Sequence, residues 1–243
     1  TRLGALNESR FGWGAASADL NNDGWLDIIQ ANGMVDDTID KKYEKCPDYW
    51  YVNEKIARSA PSIHRYANRW GDIRGMCIYG NEKNRVYLNS GSGEGARFVD
   101  VADQTGFNEK TNSRGVAAVD LDNDGRLDLV VTHQFTAPSL FKNTATGPAS
   151  NWIGIALEGD GRGCNTGAIG TVVKVADQMR EAQVVNGFTA QSDMRVHFGL
   201  PRDLSEADVT VNWCGQTLKT YAKLKTARYH QLRMASGLLG KNE

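Results

Sequence analysis

The sequence predicts an all-β protein, and three observations support this fold class. The 26 glycines and only 5 prolines among 243 residues suit many tight turns between short strands. Two stretches, 14–29 and 115–130, repeat one strand–loop–strand pattern. From Asn151 onward, several segments alternate apolar and polar residues, as half-buried strands do. Short strands joined by tight turns are therefore expected throughout.

The internal repeat indicates the architecture of the N-terminal part. Its two copies read GAASADLNNDGWLDII and GVAAVDLDNDGRLDLV. After the first copy come NRVYLN at 84–89, a Gly/Ser turn and RFVDV at 97–101, which together predict a β-hairpin. A shorter echo, SLFKN at 139–143, follows the second copy. We therefore expect repeated β-units, each built around one copy of the pattern.

Changes in composition divide the chain into two predicted domains. The first, 1–147, contains an insertion at 36–81 that is rich in charged and aromatic residues and is expected to be irregular with one short helix. A Thr, Gly, Pro and Ser cluster at 144–150 predicts the linker to a β-sandwich-like domain at 148–243. Its strands are expected at 152–157, 171–175, 181–185, 195–198, 207–213, 218–222 and 229–234.

Each repeat contains the pattern Asp-x-(Asn/Asp)-x-Asp-Gly-x-x-Asp, which predicts a Ca²⁺ site. Oxygens at positions 1, 3 and 5 of such a loop converge, Gly at position 6 permits the sharp turn, and positions 7 and 9 add a carbonyl and a carboxylate. Without a cation, these acidic groups would repel one another. Two Ca²⁺ ions are expected. The predicted ligands are Asp19, Asn21, Asp23, the Trp25 carbonyl and Asp27, then Asp120, Asp122, Asp124, the Arg126 carbonyl and Asp128.

The EF-hand loop begins with the same pattern, but it requires a bidentate acid at position 12. That position holds Gln30 in the first repeat and Val131 in the second, and both lie in runs typical of strands. The sites are therefore expected to be Ca²⁺ loops inside β-hairpins. Acidic surface turns that hold no ion are the alternative.

Charge and motif content argue against several function classes. The 28 Lys and Arg against 29 Asp and Glu give a net charge of -1, so no general field draws the chain to nucleic acid. No stretch approaches the roughly 20 apolar residues that span a bilayer. The four histidines are scattered, His197 fits a structural position in an alternating strand, and no nucleophile or metalloprotease motif occurs. We therefore expect no enzymatic activity.

These residues resemble the FG-GAP or VCBS repeats of integrin-like β-propellers, whose blades carry such loops between their first two strands. FGWG at 11–14 resembles the leading Phe-Gly of that motif. The C-terminal part resembles the ASPIC/UnbV domain of relatives of cartilage acidic protein. The resemblance implies partial propeller blades, a sandwich-like domain and a calcium-stabilised extracellular interaction or adhesion module. The C-terminal matches are NTGAIG at 165–170, QS at 191–192, VHFGL at 196–200 and VTVNW at 209–213.

The four cysteines are widely spaced and form no zinc or redox motif. Their number alone leaves open two disulfides in an exported protein or four free thiols in a cytosolic one. Cys164 and Cys214 stand close to positions where the resembled family has other residues, which suggests that they bond each other. Cys46 and Cys77 are the expected pair within the insertion. Together with Ca²⁺ loops, these pairs predict a secreted, periplasmic or cell-surface protein.

The resemblance also implies a partner. Propellers close with about four to eight blades, whereas the region before 144 holds material for two or three. We therefore expect a longer polypeptide, a protein partner or further copies to complete the structure near 1–16. A second hypothesis is binding of, or action on, carbohydrate, because some polysaccharide lyases carry similar blades. Aromatic residues of the insertion suited to stacking on sugars are Tyr49, Trp50, Tyr51, Tyr66 and Trp70.

Overall fold

The computed structural model of the chain describes residues 12–33, 82–91, 97–134, 136–145, 151–184 and 187–234, and it confirms the all-β prediction. Within these residues the helical segment is a single turn, α1 (Ala102–Thr105). The strands are β1 (Gly12–Ala18), β2 (Asp27–Asn32), β3 (Glu82–Lys83), β4 (Arg85–Asn89), β5 (Phe98–Asp100), β6 (Lys110–Thr111), β7 (Ser113–Val119), β8 (Asp128–His133), β9 (Ser139–Phe141), β10 (Asn151–Glu158), β11 (Val172–Val175), β12 (Gln178–Glu181), β13 (Val196–Leu200), β14 (Glu206–Trp213), β15 (Thr217–Lys225) and β16 (Arg228–Arg233).

Strands β1, β2, β4 and β5 form one antiparallel sheet in chain order, the arrangement of a propeller blade. The predicted hairpin at 84–89 and 97–101 is the β4–β5 pair. Strands β7, β8 and β9 form a second sheet of the same order. Within the described residues, this second sheet has no equivalent of β5.

The two blades share one apolar core. Small residues on β1, such as Ala16, face larger aliphatic ones, such as Ile29 on β2 and Val116 on β7. Ile29 and Val116 are fully buried. Because successive strand residues point to opposite faces, the apolar alternation of both repeats places one face of each blade in this core. The core holds the two Asp-rich loops at the same end of neighbouring blades.

The C-terminal part is a sandwich of two sheets, ordered β13-β10-β16 and β12-β11-β14-β15. Its core contains the fully buried Ile153 and Phe198 together with Trp213, which is 1% exposed. Strand β10 pairs antiparallel with β13 and parallel with β16. The two-sheet arrangement agrees with the predicted sandwich-like domain.

One predicted strand of this domain lies elsewhere. The sequence placed it at 181–185, but β12 spans Gln178–Glu181 and begins directly after a tight turn that pairs Val175 with Gln178. The turn residue Ala176 has φ 53, a conformation usually supplied by Gly or Asn. Because Ala is unusual in this conformation, the two-residue turn was not predicted. The other six predicted strands are present, with ends that differ by at most three residues.

The predicted bond between Cys164 and Cys214 is present and joins the segment before β11 to the end of β14. The insertion at 36–81, its expected helix, the Cys46–Cys77 pair and most of the 144–150 linker lie outside the described residues. The described helical segment is too short and too polar to cross a membrane.

Candidate functional site

Each Asp-rich loop joins the first two strands of its blade, and the two loops follow the same backbone path. Positions 4 and 6 have left-handed backbone conformations in both. Asn tolerates this conformation better than most side chains and Gly adopts it freely, so the pattern Asn-Asp-Gly shapes the loop locally. The φ angles are 57 and 92 at Asn22 and Gly24, and 60 and 83 at Asn123 and Gly125.

The aspartate at position 1 organises each loop. In the first loop, Asp19 Oδ1 accepts a bond from the backbone N–H of Asp23 at 3.0 Å. Its Oδ2 accepts one from the N–H of Gly24 at 2.8 Å. The equivalent bonds to Asp120 come from Asp124 and Gly125, at 3.1 and 2.8 Å. The two oxygens of the position-1 carboxylate thus hold the loop backbone in a turn around that side chain.

The aspartate at position 9 fastens the loop to the third strand of the blade. Asp27 Oδ2 accepts a bond from the N–H of Leu20 at 2.9 Å, and its Oδ1 accepts one from the N–H of Asn89 at 2.9 Å. Asp128 makes the equivalent bonds to Leu121 and Asn143, at 3.3 and 2.7 Å. The role of Asn89 and Asn143 was not predicted. Both NRVYLN and SLFKN end in asparagine, and this shared residue could have indicated the role.

The second loop gathers three carboxylates tightly enough for one cation. One oxygen each of Asp120, Asp122 and Asp124 lies within 4.8 Å of the others. Calcium binds oxygens at about 2.3–2.6 Å, so two ligands on opposite sides of an ion are about 5 Å apart. The donor set consists of hard oxygens, which suits Ca²⁺ and Mg²⁺ rather than a soft metal. These residues therefore fit a calcium ion.

The first loop differs in its position-3 ligand, which is the amide of Asn21. Asn21 Nδ2 donates to Asp23 Oδ2 at 2.9 Å, which orients the amide beside the position-5 carboxylate. At position 7, the backbone N–H of Trp25 donates to Asp23 Oδ1 at 2.8 Å. Arg126 donates in the same way to Asp124, at 2.9 Å. Backbone N–H bonds to Asp23 and Asp124 therefore shape both loops in the same way. Among the described residues, however, three carboxylates gather within 4.8 Å of one another only in the second loop; Asp19, Asp23 and Asp27 form no such cluster, and Asp128 lies outside the second-loop cluster.

Basic side chains neutralise part of the second loop. Lys142 forms a salt bridge with Asp122, and the Arg126 side chain forms one with Asp124. The bond from Lys142 holds the pKa of Asp122 below its usual value. Neither side chain was predicted to pair with these acids, and Lys142 lies 20 residues from Asp122. Repulsion is therefore weaker in this loop than the acid count implied, and a cation would compete with both side chains for these oxygens.

In the first loop two acids are buried. Asp19 is 1% exposed and Asp27 is 0% exposed. Without a cation, burial raises the pKa of Asp19 to about 6 and that of Asp27 to about 7. Buried carboxylates resist ionisation because the charge loses its hydration, and a divalent cation reverses this by supplying the opposite charge. Ionisation of Asp19 and Asp27 therefore depends on the charge that a bound ion would supply.

Calcium affinity of the first loop is expected to rise at least about tenfold between pH 5 and pH 7.5. A cation binds the ionised carboxylates, and Asp19 and Asp27, with pKa values of about 6 and 7, hold their protons at pH 5. Both folded-state pKa values lie above the usual aspartate value of 3.8, so the folded metal-free form binds more protons than the unfolded chain. Its stability therefore falls as pH rises through about 6–7, and calcium restores it.

This dependence is measured by calcium titration calorimetry at pH 5, 6 and 7.5 in buffers of different ionisation enthalpy, which also counts released protons. Asp27→Asn serves as the comparison, because an amide at that position cannot titrate. A first-loop affinity that is equal at the three pH values, with no proton release, would contradict the assignment of these two acids.

The β13-β10-β16 sheet of the C-terminal domain lies against both loops. The Trp152 ring packs onto Gly125 and stacks on His197, with centroids 5.7 Å apart. His197 Nε2 lies 2.7 Å from Asn22 Oδ1. The Asn22 amide nitrogen donates to the Gly125 carbonyl at 2.9 Å, so its oxygen faces His197 as an acceptor. Burial lowers the pKa of His197 to about 4, and the neutral ring donates from Nε2.

Comparison with known protein families agrees with this geometry. A model of the FG-GAP-like repeat matches residues 76–131, which include the second Asp-rich loop. A model named ASPIC and UnbV matches residues 161–238. A search of curated proteins found no significant match. The chain therefore combines an FG-GAP-like repeat in its N-terminal part with a C-terminal ASPIC and UnbV domain.

Proposed function

We propose that this protein is a non-catalytic, calcium-stabilised extracellular interaction or adhesion module that binds one Ca²⁺ ion in each Asp-rich loop. The carboxylate cluster of Asp120, Asp122 and Asp124, with oxygens within 4.8 Å of one another, supports the proposal most directly. The bonds from backbone N–H groups to the aspartates at positions 1, 5 and 9 recur in both loops. The ions would supply positive charge and hold the loops closed. Asp19, Asn21, Asp23, the Trp25 carbonyl and Asp27 would hold one ion, and Asp120, Asp122, Asp124, the Arg126 carbonyl and Asp128 the other.

Two of the three described histidines, His197 and His133, support a non-catalytic role. His197 is buried, neutral and stacked on Trp152. His133 lies between Ser113 and Ser139, with ring nitrogens 3.1 and 2.9 Å from the two hydroxyls. Ser113 is fully buried, so no substrate reaches it. The Ser139 hydroxyl donates to Glu109 at 2.9 Å, so His133 donates to Ser139 rather than accepting its proton. Neither hydroxyl is therefore an activated nucleophile.

An extracellular location is supported by the Cys164–Cys214 disulfide and by loops of a type that suits millimolar calcium. FG-GAP-like repeats are typical of protein interaction, so we propose a protein partner or further copies of this chain as the ligand. The carbohydrate hypothesis depended on insertion aromatics that lie outside the described residues. A glycan array and sedimentation velocity distinguish these ligands.

When the protein is equilibrated with about 1 mM free calcium, metal analysis is expected to find two Ca²⁺ ions per chain. Asp23→Ala and Asp124→Ala should each bind only one, because each removes the position-5 carboxylate of one loop. Asp103→Ala is the matched control, since Asp103 is an exposed acid bonded to Lys83 away from the loops. Two bound ions in either loop variant, or none in the unaltered protein, would refute the metal assignment.

A further inference from the structure

The C-terminal domain contacts the same atom in both loops. The position-1 aspartate of each loop uses Oδ2 to accept an additional bond from that domain. In the first loop the backbone N–H of Gly199 donates to Asp19 Oδ2 at 3.2 Å. In the second loop the hydroxyl of Tyr229 donates to Asp120 Oδ2 at 2.6 Å. The two donors come from different strands, β13 and β16, yet they serve equivalent positions of the repeat.

An arginine from the C-terminal domain also contacts each loop. Arg180 donates to the Gly24 carbonyl at 3.2 Å. Arg195 donates to the Asp120 carbonyl at 2.8 Å, and its guanidinium lies 3.9 Å from the ring centroid of Tyr229. These cations bond to carbonyl oxygens of the loops and bring positive charge toward the acids. Attraction between the domains therefore concentrates at the loops.

The C-terminal domain and the two loops are closely packed against each other. A Cβ added to Gly199 would lie 2.4 Å from the backbone carbon of Asn22, and one added to Gly125 would lie 1.9 Å from the Trp152 ring. The first contact is with backbone and the second with a buried indole ring, so neither is relieved by moving the far end of a flexible side chain. A change in loop shape is therefore transmitted directly to the β13-β10-β16 sheet.

A second segment of the same domain is attached to the inner strand of the second blade. The Ala118 N–H donates to Ser192 Oγ at 3.1 Å, and the Asp193 N–H donates to the Ala118 carbonyl at 2.9 Å. Ala118 lies two residues before Asp120, so this contact continues onto the second loop. The docked surface therefore runs from β7 across both loops.

We propose that the C-terminal domain forms the outer layer of both calcium sites, so that calcium binding and docking of this domain on the blades strengthen each other. Tyr229 and the Gly199 amide act as positioning groups, because each fixes the orientation of a ligand carboxylate through its second oxygen. Outer-layer bonds of this kind alter metal affinity by about 10–100-fold. If docking favours calcium, calcium favours docking by the same factor. The inference rests on the proposed function, since it requires that the loops bind calcium.

Calcium titration calorimetry of full-length Tyr229→Phe tests the first half. The variant is expected to bind calcium about tenfold more weakly at one of its two sites, with the other changed less than about twofold. Tyr221→Phe is the matched control, because it removes a hydroxyl 3.5 Å from a backbone carbonyl of Arg233, away from the loops. Circular dichroism verifies that both variants are folded. Equal affinities in Tyr229→Phe and Tyr221→Phe would overturn the positioning role.

Hydrogen exchange of the amides of Gly199 and Asp193 tests the second half in the same protein. Saturating calcium is expected to slow their exchange at least about fivefold, the lower end of common coupling factors. Amides of β14 in the sandwich core provide the internal reference. The slowing at Asp193 should be lost in Asp124→Ala. Unchanged exchange at both amides would overturn the coupling.

The two proposals fail in different ways. If the unaltered protein binds no calcium, the metal assignment fails before Tyr229 is considered. If it binds two ions while Tyr229→Phe binds with unaltered affinity and both amides exchange at calcium-independent rates, the calcium sites stand and the coupling between loops and domain is wrong.

Discussion

Chelating calcium is expected to lower the melting temperature of this protein by about 10–20 °C. A ligand present at 100 times its dissociation constant stabilises the folded state by about 2.7 kcal/mol, and two equivalent sites give about 5 kcal/mol. One kcal/mol shifts the melting temperature of a domain of 150–250 residues by about 2–4 °C. Both loops lie between the blades and the C-terminal domain. Loosening of the loops would therefore expose the contact surfaces of both units to water. Calorimetry in excess EGTA and in calcium a hundredfold above the measured dissociation constant gives the difference.

The double variant Asp23→Ala/Asp124→Ala is the control for this experiment. It should melt at one temperature in EGTA and in calcium, because neither loop retains its position-5 carboxylate. The same concentration of Mg²⁺ should stabilise the unaltered protein less, since Mg²⁺ demands stricter geometry and gives up its water reluctantly. A melting temperature unaffected by EGTA would show that the loops do not hold calcium in the folded protein.

The local features of the fold could be predicted because they depend on local chemistry. The pattern Asn-Asp-Gly determines the left-handed positions Asn22, Gly24, Asn123 and Gly125 within a few residues of chain. Apolar alternation after Asn151 predicted half-buried strands, and β14 alternates in burial in this way. The position-1 and position-9 acids followed from one spacing rule applied twice. In each loop, both of these acids accept hydrogen bonds from backbone N–H groups of the same loop.

Contacts distant in sequence could not be predicted. Tyr229 reaches Asp120 across 109 residues, and His197 reaches Asn22 across 175. Nothing in one sequence indicates which face of the sandwich meets the loops. Lys142 was missed for a similar reason. It follows β9, whereas its partner Asp122 lies in the loop before β8. The outer layer of the site is therefore a product of tertiary docking, whereas the inner layer is a product of the repeat.

The contact between the blades and the C-terminal domain also explains why His197 has a structural role. The His197 ring is held by Trp152 on one face and by Asn22 at Nε2. Its Nδ1 has no hydrogen-bond partner among the described residues. Protonation would add a donor at this buried nitrogen, which is why burial lowers the pKa of His197 to about 4. The ring thus remains neutral across the pH range in which the first loop gains its charge.

Gly125→Ala is expected to destabilise the protein by about 3 kcal/mol and to weaken calcium binding at the second loop. Gly125 has φ 83, and an added Cβ would lie 1.9 Å from the Trp152 indole, which is 7% exposed and fixed by its contacts with His197 and Tyr229. Overpacking of this kind costs about 1–3 kcal/mol, and the left-handed backbone adds about 1 kcal/mol. Either the loop or the indole has to move, and the position-1 acid loses its bond from the residue-125 amide.

Gly106→Ala separates the two causes. Gly106 has φ 76, close to that of Gly125, but an added Cβ meets nothing within 4 Å. It should therefore cost only the backbone contribution of about 1 kcal/mol and leave two calcium ions bound. Thermal unfolding and calcium titration of the two variants are compared. The difference between them is the part of the Gly125→Ala effect that comes from the contact with Trp152. Equal melting temperatures, or unaltered second-loop affinity in Gly125→Ala, would show that contact with Trp152 does not hold the second loop in its binding shape.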